Sequence, residues 1–161
     1  MLSKIPDSLK EAAMAEGNNV FHAFGDGSIT IENLTIWGEK TKNSAAIDLF
    51  MDNSKVLSNA IINFDAGLIL DPFGAQRGRN TEISNNYFFD NGYLTLRIDG
   101  GYNANTNTCT EPIGPFNLTS NFLSGNYQGI NFLCAENGLI ENNIVRDSNI
   151  AGLRSENSKG N

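Results

Sequence analysis

Apolar residues along this chain fall into short alternating runs, and the runs come in pairs that recur. The first run of each pair reads as an aliphatic residue, a spacer, an Asn or Ser, two more positions and another apolar residue. Its copies are Ile31-Glu-Asn33-Leu-Thr-Ile36, Leu57-Ser-Asn59-Ala-Ile-Ile62, Ile83-Ser-Asn85-Asn-Tyr-Phe88, Leu118-Thr-Ser120-Asn-Phe-Leu123 and Ile140-Glu-Asn142-Asn-Ile-Val145. The second run is Ile47-Asp-Leu49, Leu68-Ile-Leu70, Leu94-Thr-Leu96, Ile130-Asn-Phe132 or Leu153-Arg-Ser155. Alternation with period two predicts strands with one buried face. Turn signals such as Asp65-Ala-Gly67, Asp90-Asn-Gly92, Asn126-Tyr-Gln-Gly129 and Asn149-Ile-Ala-Gly152 separate the runs.

The copies begin 26, 26, 35 and 22 residues apart. A period in this range marks a solenoid, in which each repeat buries its apolar face against its neighbours. A sandwich also has short strands, but nothing in it requires one residue type to recur in one register. Equivalent strands one coil apart run the same way, so the expected fold is an all-β parallel β-helix of about five to six coils. A fainter coil at Val20 to Phe24 precedes the others by the same spacing. The recurring Asn is expected at a corner, bending left-handed and bonding to its copies above and below, with Ser120 a weaker rung. The whole chain, 1–161, reads as one domain. A short helix within 1–17, carried by Leu9, Ala12, Ala13 and Met14, is expected to cap the first coil. The 35-residue step places a long inserted loop over 99–116. The polar run Ser155 to Asn161 offers no obvious cap, so the last coil is expected to be covered by a partner subunit, as in a homo-oligomer, by some other element, or by residues of a longer parent chain.

Composition adds 24 asparagines and 16 glycines, the residues that turn most readily. The formal net charge of −7 argues against a nucleic-acid partner, because phosphate binding needs clustered Lys and Arg. No apolar run reaches membrane-spanning length, and Met1 to Lys10 lacks the apolar core of a signal peptide. The expectation is a cytoplasmic protein, or an extracellular or cell-surface one whose signal has been removed. Cys109 and Cys134 lie 25 residues apart, about one coil, which suits either a disulfide or two buried thiols.

Candidate chemistry follows from the alternation. With Leu68, Leu70, Leu94 and Leu96 inward, one outward column holds His22, Asp48, Ile69, Thr95, Asn131 and Arg154. The next holds Phe50, Asp71, Arg97, Leu133 and Glu156, and Asp99 falls in a third. Strands about 4.8 Å apart then set Asp71 against Arg97, flanked by Asp99. Carboxylates with a guanidinium on one sheet face suit a sugar carboxylate, a proton transfer or a bridging cation, so calcium is admitted as a ligand while no resident cofactor is expected. The inserted loop brings Tyr102, Asn103 and Asn105, which with Asn131 are candidates to stack on and bond a sugar ring. His22 aligns with Asp48 as a base with its orienter, or as an ordinary surface pair. One histidine and two cysteines give no zinc signature, and no phosphate loop, nucleophile elbow or dinucleotide fingerprint occurs.

From Ile29 to Ser155, and most plainly at Ile140-Glu-Asn-Asn-Ile-Val145, the chain resembles the right-handed parallel β-helix repeats of the pectin-lyase-like superfamily. Leu70-Asp71-Pro72-Phe73-Gly74 is similar to the Asp-Pro-His-Glu/Asp signature of alginate epimerases and their lyase relatives. Phe73 stands where the His would be and Gly74 where the acid would be. The Arg segment of pectate lyases and the Asn-Thr-Asp and Gly-His-Gly set of polygalacturonases are missing. The resemblance implies a protein that interacts with an acidic or neutral polysaccharide without an intact known catalytic set. The alternatives are a polyuronide lyase or epimerase acting through Asp71, Arg97 and Asp99, and a structural or assembly module.

Overall fold

A computed structural model describes residues 20–40, 42, 44–71, 78–103, 105–106, 108–156 and 158, with the Tyr102 side chain excepted. The helix expected within 1–17 lies outside them. The described chain winds as an all-β solenoid of parallel strands. Its first turn is β1 (Phe21–Ala23), β2 (Thr30–Glu32) and β3 (Thr35–Trp37). The second is β4 (Ala45–Leu49), β5 (Lys55–Leu57) and β6 (Ala60–Ile62), and the third is β7 (Ala66–Leu70), β8 (Thr81–Ser84) and β9 (Tyr87–Phe89). The fourth opens with β10 (Leu94–Asp99) and inserts β11 (Gly101–Asn103) and β12 (Thr108–Glu111) before β13 (Phe116–Thr119) and β14 (Phe122–Ser124). The last strands are β15 (Gln128–Leu133), β16 (Gly138–Glu141), β17 (Ile144–Arg146) and β18 (Ala151–Glu156).

Three parallel sheets result. The long sheet runs β1-β4-β7-β10-β15-β18, and two five-stranded sheets stack the shorter strands. In the first four coils each short strand buries at least one apolar residue. Ile31, Val56, Ile83 and Leu118 form one inward column, and Ile36, Ile61, Phe88 and Leu123 form another. The long sheet contributes Ile47, Leu68, Leu96 and Ile130, then Leu49, Leu70, Ile98 and Phe132. These columns meet in one continuous core. Gly67 keeps the long sheet close to that core: a Cβ there would sit 2.4 Å from the Thr95 carbonyl oxygen and 3.0 Å from the Phe88 ring.

Two expectations about register need correction. The first concerns the corner. The bend falls at Asn33, Ser58, Asn85, Ser120 and Asn142, with left-handed φ of +55° to +57°; of the residues expected in the amide ladder only Asn59 belongs to it, because the second copy is in register from Val56 and not from Leu57. The ladder is the next residue along. The Asn59 backbone N–H donates to Asn86 Oδ1 at 3.0 Å, Asn86 N–H to Asn121 Oδ1 at 3.0 Å, and Asn121 N–H to Asn143 Oδ1 at 2.9 Å. Each side-chain amide also donates to a carbonyl of the preceding coil, as Asn86 Nδ2 does to Val56 O at 2.8 Å. Ser120 is therefore no fault in the ladder; it occupies a bend that needs conformational tolerance and no amide. A second ladder joins Asn91 and Asn126 at the next corner, with Asn126 Oδ1 accepting the Asn91 N–H at 2.9 Å.

The second correction concerns β10. Leu96 and Ile98, not Leu94 and Leu96, pair with Leu68 and Leu70. Arg97 takes the outward place beside Ile69, and Thr95, between the Leu94–Ala66 and Leu96–Leu68 pairs, is fully buried. Three apolar residues alternate in Leu94-Thr-Leu96-Arg-Ile98, so hydrophobicity alone leaves a two-residue slip undetermined.

The insertion is a structured antiparallel hairpin, β11 against β12. Cys109 on β12 forms a disulfide with Cys134, just past β15, with Cα atoms 5.5 Å apart. Ile113 is buried beyond the hairpin and bridges to Ala135, and the Gly114–Pro115 peptide is cis. The hairpin is thus tied to the end of the long sheet.

Candidate functional site

The outer face of the long sheet collects the chain's unusual polar residues. Strand alternation points Asp48, Ile69, Arg97, Asn131 and Arg154 outward in one column. The column beside it runs through Asp99, Leu133 and Glu156. Asp71 follows Leu70 directly, so the pairing of Leu70 with Ile98 sets Asp71 level with Asp99. The two carboxylates occupy neighbouring coils, and Arg97 lies diagonally from Asp71.

Arg97 is already engaged. Its Nη2 donates to Asp99 Oδ2 across the two-residue step within β10. The pair sits at the edge of solvent, with the Asp99 side chain 8% exposed and the Arg97 side chain 31% exposed. Burial raises the Asp99 pKa against the opposing pull of Arg97. Asp71 is pushed up to about 6, first by burial and then by the Asp99 charge, with Arg97 working against both. A carboxyl held near neutrality beside a second carboxyl is a usual device of proton-transfer sites.

Further along the face, His22 Nδ1 lies 3.0 Å from Asp48 Oδ2, the pairing expected from their 26-residue spacing. Phe24 and Phe50 pack their rings 5.4 Å from the imidazole. Burial raises the Asp48 pKa, while its hydrogen bond to His22 lowers it.

Four polar atoms on this strand set are buried without a partner among the described residues: Arg97 Nε, Asp99 Oδ1, Asn131 Oδ1 and Thr95 Oγ1. The first three belong to adjacent outward positions on β10 and β15. Buried polar groups are nearly always satisfied, and each exception calls for an explanation such as water, an ion or a ligand. Asp99 and Asn131 are 6% and 5% exposed as whole residues. Three unmet groups therefore belong to neighbouring outward positions of β10 and β15.

The neighbouring surface is concave. A cleft of ≈ 270 Å³ is lined by Ser44, Ala45, Asp48, Asp65, Ala66, Ile69, Tyr93 and Leu94. Tyr93 stands 56% exposed, and Tyr127 lies one coil on with ring centroids 6.3 Å apart. Exposed rings of this kind present flat apolar faces to solvent. The sequence reading missed both tyrosines. Their signal was present: each falls at the turn entering a long strand, shortly after a ladder Asn.

Of the loop candidates, Asn103 uses its side chain locally. Its Oδ1 accepts the backbone N–H groups of Asn105 (3.0 Å) and Thr106 (3.3 Å), closing the hairpin turn. Asn105 is exposed at that turn, and the Tyr102 side chain lies outside the described residues. Asn131 belongs to the sheet patch itself. Among the described residues no three His, Cys, Asp or Glu side chains gather in a way that would hold a metal ion.

No protein-family model matches the chain, and no curated protein or solved structure does so either.

Proposed function

We propose that this protein is a carbohydrate-interacting, right-handed parallel β-helix of the pectin-lyase-like kind, and that the outer face of its long sheet is the binding surface. The observation that carries this reading is the set of unpartnered buried atoms on Arg97, Asp99 and Asn131, on the strands whose entry carries the Tyr93–Tyr127 pair. A saccharide chain supplies hydroxyls that both donate and accept, together with ring faces that stack on tyrosine. Calorimetric titration against a panel of acidic, neutral and basic oligosaccharides tests it. Binding is expected to weaken about tenfold on Tyr93→Ala, a loss of the size of one ring contact. A panel without any binder removes the reading.

One feature favours a second reading, that of an active lyase or epimerase. Asp71, held at about 6, is poised to give or take a proton near neutral pH, with Asp99 and Arg97 adjacent. Incubation with alginate or pectate, followed by unsaturated products and the uronate ratio, decides it. Activity lost on Asp71→Asn supports catalysis; inert wild-type protein excludes it for these substrates.

A further inference from the structure

We propose that the Arg97–Asp99–Asn131 patch on this face is selective for amine-bearing saccharides, chains of hexosamine with free amino groups, and discriminates against polyuronides. The proposal rests on the carbohydrate reading above and deepens it.

The charge balance of the patch comes first. Asp48, Asp71 and Asp99 face outward on adjacent long strands; Arg154, beyond Asn131, is bonded to Glu156, and the cation beside the three aspartates is Arg97. That cation is bonded to Asp99 through Nη2. A ligand carboxylate would have to compete with Asp99 for it while approaching Asp71 and Asp48. Like charges brought together at this distance oppose binding, and partial burial reduces the screening that would soften the cost. The site is built against anions.

The unmet atoms say what it is built for. Asp99 Oδ1 and Asn131 Oδ1 are acceptors, almost wholly buried and without donors. An ammonium has three donors and no acceptor, so it suits acceptors of this kind and offsets the excess carboxylate charge. Arg97 Nε is an unmet donor in the same patch. A ring or hydroxyl oxygen of the same sugar answers it without adding charge. Asn131 is independent of the acidic residues: it is neutral, 5% exposed, and pairs in register with Arg97. A purely acidic surface patch would leave its carboxylates in water, whereas here the unmet oxygens are sequestered.

The experiment uses the full chain and three oligosaccharides of equal length: glucosamine, N-acetylglucosamine and galacturonate oligomers, titrated in one buffer. The expected result is binding of the glucosamine oligomer about tenfold or more tighter than its acetylated form, weakening with salt, and no measurable binding of galacturonate. Asp99→Asn and Asn131→Ala should each weaken the amine-bearing ligand selectively, with circular dichroism confirming the fold. If Asp99→Asn does not fold, Asn131→Ala carries the test. Equal or tighter binding of the acetylated or galacturonate oligomer overturns the selectivity and leaves the carbohydrate reading standing. Binding of none of the three, nor of any member of the wider panel, overturns both.

Discussion

At the scale of single residues, Asp71 is the most informative group. Its folded pKa, about 6, lies above the ordinary value of 3.8, so the native state holds its proton more tightly than the unfolded chain does. The sign follows from linkage: the contribution to stability is full below the ordinary carboxylate range and is lost as pH rises through about 6. Asp71→Asn should therefore flatten stability between about pH 4 and pH 7, and should raise it at neutral pH by about 1–2 kcal/mol once partial solvation is allowed for. Denaturant titrations of both proteins across this range check it; parallel curves would show that Asp71 titrates alike in both states. The polar residues of this site were legible from the sequence, but the tyrosines and the arrangement were not. Alternation fixes which parity of residues points outward and cannot tell Leu94-Leu96 from Leu96-Ile98 as the inward pair. The resolving cue was small residues: Gly67 precedes Leu68 and Gly129 precedes Ile130, so Thr95 precedes the matching Leu96.

At the scale of elements, the corner ladders and the hairpin each make a distinct claim. Asn86 is 1% exposed; its amide donates to Val56 O and Ser84 O, and its Oδ1 receives the Asn59 N–H. Asn86→Ala strands several buried backbone groups at once and should cost about 2–4 kcal/mol. Asn85, its neighbour, has φ +56°. There Gly should be tolerated, while Ala should cost about 1 kcal/mol for the left-handed backbone. Thermal melts of the three variants separate ladder from bend; equal losses at positions 85 and 86 would contradict the division. Choosing between members of an Asn-Asn doublet requires knowing which one faces inward, and both residues suit a turn. The hairpin rests on Cys109–Cys134, which closes a loop of 25 residues. Removing both thiols as serines should cost about 3 kcal/mol. Because the tether ends next to β15, ligand affinity should fall as well. A double variant that melts with wild type would mean that the hairpin holds without its bond.

At the scale of the whole molecule, a solenoid stabilises each coil by its two neighbours, so protection should be graded along the axis. The central inward residues Val56, Ile83, Leu118, Ile61, Phe88 and Leu123 are all 0% exposed. In the last coil Ile140 and Val145 only pack partly against the core, and Leu153 is 57% exposed. The fold class was legible because every coil repeats one burial pattern. This gradient was less so, because Ile140 stands in the same repeat position as Ile83 and yet only packs partly against the core. Leu118→Ala should cost about 3 kcal/mol or more and lower the melting point of the whole chain, since it opens a cavity between two filled coils. Leu153→Ala, on the same reasoning, should change stability by less than about 0.5 kcal/mol. Hydrogen exchange followed by mass spectrometry gives the matching map: amides of β7, β10 and β13 should exchange by the slowest route, and those of β16, β17 and β18 much sooner. Asp71 and Arg97 stand over the protected strands, and Asn131 stands where protection begins to fall. Ligand binding at that patch should slow exchange in β15 and β18 more than in β4 and β7. Uniform protection from β4 to β18 in the free protein would refute both the gradient and the placement of the site upon it.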